Sequence, residues 1–538
     1  MPKTRQLLRE EITYSVAKEK ETNILQRLSY VEKRDEFFGQ LKRNTGWIKS
    51  TITHHIGLHS PNACQISDED DWLYGSFNVC IPVTVDSKNW RWKRQYGNRL
   101  MFRLPLPYRV AETFRPGSAD EKVRCEAATY SFFQQHCTDV PLPRLYGFGL
   151  TTGETFTELD TLPFLMRGFF KIKNFLRSLF RLPLPSKYVR HQPRLALQTD
   201  EGRLSYMLLE YIEDTTGEML SATWKDKQND AELRANLFRG ISRILLSITR
   251  IKLPKIGSFT MDNKGYISLT NRPLTYQMLE AENESIPTDI PRDRTYSTVE
   301  SYTLDMLNFH DNRILHQPNA INDLSDYSYQ TAALTTMRAI LPSFLDQKTR
   351  YGPFVLCFGD FNQSNIFVDK NWNITCLLDL EWMFSQPIDL VRLPTWLSNQ
   401  ALDELAHEPE HFTAIRKELV DILADEEKKW HAIPSQEWTS EIQEKAPSSA
   451  LLLSTALSSC WETGAFWYSL ALHNPTALFS VFYERIQPKF LDKNNDHDAF
   501  QNIVPWYWAT DFVDIALEKV EDKKNYDIQL QQAFEDST

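Results

Sequence analysis

The 538-residue chain lacks several kinds of signature, and each gap excludes a class. Its seven cysteines (Cys64, Cys80, Cys125, Cys137, Cys357, Cys376 and Cys460) are scattered, odd in number and without a C-x-x-C pair. Neither a disulfide framework nor a zinc knuckle is indicated, and reduced thiols are the simple account. No run approaches the roughly 20 apolar residues that span a bilayer. The opening MPKTRQLLREEITYSVAKEKE alternates charges around no apolar segment, which speaks against a secretory signal. A cytoplasmic protein is expected. An excess of positive charge is also missing: the formal net charge of -11 argues against a general nucleic-acid binder, which needs Lys and Arg over a broad surface. There is no internal repeat, no H-E-x-x-H zinc helix and no G-x-S-x-G nucleophile elbow. His54, His55, His310 and His316 read as satisfied core or surface side chains.

What is present is ordinary globular material, 42% hydrophobic and 24% charged, enough for two or more domains. Residues 1–70 are charged with helical periodicity and predict a helical extension, ending in the acidic run DEDDW. From Trp72 to Val110, the β-branched and apolar runs NVCIPVTV and RLMFRLPLP are broken by DSKN and YGN, which predicts antiparallel strands joined by turns. DEKVRCEAATYSFFQQH repeats apolar residues at helical spacing, and PLPRLYGFG and YMLLEYIE read as further strands. These make a sheet-bearing part over 71–213, with an insertion at about 155–200. Residues 214–538 read as mainly helical, with three short strand-like runs in the segment 355–382 and a polar tail, NYDIQLQQAFEDST.

That segment, VLCFGDFNQSNIFVDKNWNITCLLDLEW, sets Asp360, Asn365 and Asp379 among apolar runs where lone carboxylates are costly. Asp360 would follow VLCF, Asn365 would open NIFVD and Asp379 would close ITCLLD. The three could converge on one edge of a cleft. Such oxygen donors suit phosphoryl transfer, which needs a carboxylate to orient the attacking hydroxyl and oxygen ligands for magnesium.

In this form, FGDFNQSNIFVD followed by LLDLEW, the stretch resembles the catalytic segment of the aminoglycoside phosphotransferase and choline kinase family, relatives of protein kinases. The resemblance implies a two-lobed protein-kinase-like α+β fold with a small antiparallel-sheet lobe and a larger, mainly helical lobe, ATP lying between them. It implies Asp360 as catalytic base and Asn365 and Asp379 as Mg²⁺ ligands, with Glu381 an adjacent acidic residue. Asp389 in QPIDLVRLPTWL would anchor the catalytic loop. Upstream, GSFNVCIPV resembles the phosphate-covering loop, with Gly75, Ser76 and Asn78 at its tip. Arg103 in LMFRLPLP stands where a kinase strand has its phosphate-holding Lys, and Glu126 in VRCEAA would pair with it. Backbone groups near Glu210 and Ile212 would meet adenine. The implied activity is ATP-dependent transfer of a phosphoryl group to a hydroxyl of a small molecule.

The chain departs from the family pattern at Phe358, where the family has a histidine that props the loop, and at Arg103, a planar fork in place of a point charge. These departures define the alternative: an inactive pseudokinase acting as a nucleotide-binding scaffold. A protein kinase is disfavoured by the absence of D-F-G, of A-P-E and of an evident activation segment.

Between Thr161 and Thr199 stand eight basic residues and no acidic ones. At about 100° per residue, FLMRGFFKIKNFLRSLFRLPLP sorts into a basic side with Arg167, Lys171, Lys173, Arg177 and Arg181 and an apolar side with Phe169, Ile172, Phe175, Leu176, Leu179 and Leu182. The expectation is that the apolar side docks on the helical part of the fold. Alternatively, the segment 164–194 could meet an anionic membrane or an acidic partner.

Overall fold

The computed structural model describes residues 3–58, 60–86, 98–192, 203–430, 452–491 and 497–535, with side chains of 497–499 excepted. The fold is mixed α+β, and all its strand pairs are antiparallel. The chain opens with a short hairpin, β1 (Thr4–Gln6) and β2 (Glu11–Thr13), followed by the helices Tyr30–Arg43 and Thr45–Ile56. An eight-stranded sheet comes next, built from β3 (Cys64–Ile66), β4 (Leu73–Tyr74), β5 (Asn78–Val85), β6 (Arg99–Pro105), β7 (Leu145–Gly149), β8 (Thr155–Glu158), β9 (Tyr188–Arg190) and β10 (Tyr206–Glu210). Its order is β3-β5-β6-β10-β7-β8-β9, with β4 paired to β5.

Period-two alternation assigns the faces of this sheet. Val79, Ile81, Val83 and Val85 of β5, with Leu100, Phe102 and Leu104 of β6, pack against Phe38, Trp47, Ile48 and Ile52 of the two preceding helices. Arg103, between Phe102 and Leu104, is thereby directed to the other face, where the helix Ser118–His136 lies. A one-residue slip in β6 would send its cation into the apolar layer.

Four expectations need correction. The first 70 residues are not purely helical, since they open with the β1–β2 hairpin and end in β3, an integral strand of the main sheet. The part beyond residue 214 holds more strand than the three runs. It contains β11 (Glu218–Met219), β12 (Ser258–Met261) with β13 (Ile267–Asn271), then β14 (Phe354–Phe358), β15 (Ile366–Val368), β16 (Ile374–Leu377) and β17 (Met383–Pro387). β14 pairs with β17, and β15 lies between β11 and β16. The polar tail is the end of a helix, Phe512–Glu535, whose Tyr526, Leu530 and Phe534 pack on Leu7, Ile12, Ala17 and Ile24 near the N-terminus. Finally, the basic segment does form a helix, Phe164–Leu179, but none of its residues is buried. The expected turns at DSKN and YGN fall largely outside the described residues. Among the described helices, none is long and apolar enough to cross a membrane.

Candidate active site

Two hairpin-like pairings bring the acidic residues together. β14 ends at Phe358 opposite Met383 of β17. The next N–H, of Gly359, donates to the Trp382 carbonyl at 2.8 Å. A Cβ on Gly359 would lie 2.4 Å from that oxygen, so only glycine permits this approach. Asp360 follows directly. β15 and β16 pair with Ile366 opposite Leu377, and the Asn365 carbonyl accepts the Leu378 N–H at 2.8 Å. Asn365 and Asp379 therefore stand at the same end of one hairpin. Asp379 itself has φ of 62°, left-handed backbone that a non-glycine residue adopts at an energetic cost and that recurs at functional sites.

Asp360 is partly buried and makes no salt bridge among the described residues. Burial, reinforced by the negative charges of Asp379 and Glu381, pushes its carboxyl up to about 6. A carboxylate tuned toward neutrality is what general-base chemistry favours.

Behind it lies a buried charge network. Arg103 Nη1 donates to Glu126 Oε1 at 2.6 Å, and its Nη2 donates to Asp379 Oδ1 at 2.7 Å and Glu381 Oε2 at 2.6 Å. Lys122, one helical turn before Glu126, donates to Glu381 and to Asn78 Oδ1, the latter at 2.6 Å, while Asn78 Nδ2 donates to Glu381 Oε2 at 2.8 Å. Arg103, Lys122, Glu126 and Glu381 are all buried, whereas the Asp379 side chain is 25% exposed. Burial works against the Arg103 charge, and Asp379, Glu126 and Glu381 more than offset it. Burial pushes the Glu126 carboxyl up, and Arg103 pulls it back. Three carboxylates against two cations leave one net negative charge. Carboxylate oxygens of Glu126, Asp379 and Glu381 lie within 4.8 Å of one another. An all-oxygen set suits a hard divalent cation, and Asp379 is the member with an open side.

The structure separates the other expected residues by role. Gly75 and Ser76 are exposed in a tight turn in which the Gly75 N–H meets the Asn78 carbonyl at 2.9 Å. Asn78 is not at a loop tip: its amide is turned inward to Lys122 and Glu381, because β5 begins there and its first side chain faces the helix. Glu210 ends β10, where its carboxylate accepts the Arg144 N–H, and Ile212 lies just beyond the strand. Asp389 does not anchor the loop that carries Asp360, for its carboxylate accepts from the Thr349 hydroxyl. The loop is held instead by the Trp396 indole, whose Nε1 donates to the Phe361 carbonyl at 2.6 Å. Phe358 stacks on Phe361 with ring centroids 4.7 Å apart, and so props the loop by packing alone.

A cavity of about 340 Å³ opens beside Asp360, lined also by Tyr276, Gln386, Arg392, Trp396 and Asn474. Burial, and then the Asp360 charge, push the Tyr276 phenol up to about 12, while Arg392 acts in the opposite sense. Arg392 makes no hydrogen bond or ion pair with any other described residue through its side chain. Gln386 is 3% exposed, and its Oε1 has no donor among the described residues. Sequence reasoning missed Lys122, Tyr276, Gln386 and Arg392. Only Lys122 carried a signal, its i,i+4 spacing to Glu126 in an otherwise apolar helix face. No family model matches the chain, and comparison with curated proteins returns no match.

Proposed function

We propose that the chain is an ATP-dependent phosphotransferase of protein-kinase-like, two-lobed architecture that moves the γ-phosphoryl group of ATP to a hydroxyl of a small molecule. The observation that carries this reading is the constellation at the ends of β14 and β16. There a near-neutral carboxylate, Asp360, stands apart from a charge network that joins Arg103 to Glu126, Asp379 and Glu381. The resemblance of GDFNQSNIFVD and LLDLEW to the aminoglycoside phosphotransferase and choline kinase family supports it.

In this reading Asp360 accepts the hydroxyl proton as the acceptor oxygen bonds to phosphorus and the bond to ADP breaks. Asp379 and Asn365 would hold Mg²⁺, which when bound neutralises charge on the phosphates. Arg103, oriented by Glu126, meets the phosphates from the sheet. Gly75 and Ser76 cover them, and the segment from Glu210 to Ile212 takes adenine. The acceptor occupies the cavity between Asp360 and Arg392. Within it, Arg392 has no side-chain partner among the described residues and Gln386 offers an acceptor without a donor among them, so the fitting ligand carries an anionic group and a hydroxyl.

One contact favours the scaffold reading. Arg103 Nη2 sits on Asp379 Oδ1 itself, so its guanidinium competes for a ligand oxygen. Product formation decides between the two. Wild type supplied with Mg-ATP and a panel of hydroxy acids and sugar phosphates is expected to form ADP and a phosphorylated product, and Asp360→Asn to lose at least about 100-fold in rate. If both proteins bind Mg-ATP yet match at background turnover, the scaffold reading stands and the transferase reading falls.

A further inference from the structure

The helix Phe164–Leu179 is amphipathic with the wrong side out. Phe164, Leu165, Phe169, Ile172, Phe175 and Leu179 are each more than 60% exposed, and the strip continues through Phe180 to Leu182 and Leu184. Its links to the body come instead from the basic side. Arg167 donates to the Asp160 carbonyl at 3.3 Å, Lys171 pairs with Asp160 at 3.3 Å, and the Arg177 guanidinium lies 5.5 Å from the centre of the Tyr266 ring. A water-facing strip of this size on one helix has no stabilising role in the isolated chain.

We propose that this helix is a docking surface for an anionic phospholipid bilayer, lying in the membrane plane with its aromatic and aliphatic strip among the acyl chains. At about 100° per residue, the apolar arc runs from Phe164 and Phe175 round to Phe169 and Phe180. Lys171 borders one edge and Lys173 the other, which is where headgroup phosphates would stand. Lys173 and Arg181 make no side-chain ion pair with a described residue. The absence of acidic residues from 161 to 199 keeps the whole surface attractive to negative charge in a chain that is acidic overall. Charge also decides against a second copy as the occupant. A two-fold contact through this strip would set its own basic borders against each other. At 16 residues the helix is about 24 Å long, too short and too charged to span.

The test is co-sedimentation of the full-length protein with vesicles of phosphatidylcholine alone and of phosphatidylcholine with about 30% phosphatidylserine, an anionic fraction high enough to set up a negative surface potential. Binding is expected to the anionic vesicles, to weaken with salt, and to fall at least about tenfold in Phe169→Ser/Phe175→Ser and in Lys171→Glu/Lys173→Glu. Those side chains are exposed, so both variants should keep the wild-type melting temperature. In Phe175→Trp, tryptophan emission is expected to shift to the blue on the anionic vesicles only. No sedimentation of wild type, or equal sedimentation of wild type and both variants, would overturn the proposal. So would a wild-type dimer that becomes monomeric in Phe169→Ser/Phe175→Ser without any vesicle binding.

Discussion

At the residue scale, Asp360 and Lys122 make opposite use of burial. Asp360 is desolvated with no ion-pair partner among the described residues and lies near the like charges of Asp379 and Glu381, so its folded-state pKa of about 6 exceeds the ordinary carboxylate value of 3.8. A raised carboxyl contributes most stability while protonated, and that contribution is lost as pH rises from about 4 through about 6. Asp360→Asn removes the penalty. Metal-free variant protein is therefore expected to exceed wild type in urea-denaturation stability by about 2–3 kcal/mol at pH 8, with the gap closing toward pH 4. In its proposed role as base, the same group must be ionised. The turnover of wild type is expected to fall on the acid side with a midpoint near pH 6, and a flat profile down to pH 5 would exclude Asp360 as the base. Lys122 has no such latitude, being buried against Glu381 and Asn78. Lys122→Met leaves Glu381 to Arg103 and Asn78 alone and is expected to cost about 3 kcal/mol, read as a drop in the denaturation midpoint.

At the scale of elements, the helix Phe512–Glu535 and the helix Phe164–Leu179 make a useful contrast. Tyr526, Leu530 and Phe534 recur every four residues, and that stripe meets the N-terminal hairpin and the start of the helical region. Leu530→Ala is expected to destabilise by about 2–4 kcal/mol as a core truncation, with hydrogen exchange at residues 4–28 rising first. The stripe is spelled in YDIQLQQAF, but a polar composition concealed it, since three residues suffice when the partner surface is small. The basic helix shows the reverse. Its periodicity was clear, and its orientation was not, because a moment states which residues share a side and says nothing about which side the protein covers. Phe169→Ser there is expected to change folding stability by less than about 0.5 kcal/mol in a chemical-denaturation comparison.

At the scale of the whole molecule, the charge network spans segments far apart in the chain: Asn78 and Arg103 come from the sheet, Lys122 and Glu126 from the helix that follows, and Asp379 and Glu381 from beyond β16. Ligand binding at that junction should tie these segments together. Mg-ATP at about 100 times its dissociation constant is expected to stabilise wild type by about 2.7 kcal/mol, seen as a raised melting temperature. Asp379→Asn should lose most of this gain, and no shift in wild type would count against nucleotide binding at this site.

The chain alone determined the local order: apolar, strand-forming runs at NVCIPVTV and VLCF, a helix at DEKVRCEAA, and polar residues set at the ends of apolar runs. These follow from nearest-neighbour sterics and from spacing along a single element, which a linear text records. The resemblance to the phosphotransferase family implied Arg103 and Glu126 as partners, and these meet at 2.6 Å. Only the tertiary structure decided that Asn78 turns inward, that Asp389 binds Thr349 and that Trp396 holds the loop. It alone brought the Arg392 guanidinium and Gln386 Oε1, neither with a partner among the described residues, to the wall beside Asp360. Pairing between distant segments depends on which faces the packing of sheet and helices leaves open, and burial, which sets both the cost of a charge and its pKa, is a property of that packing.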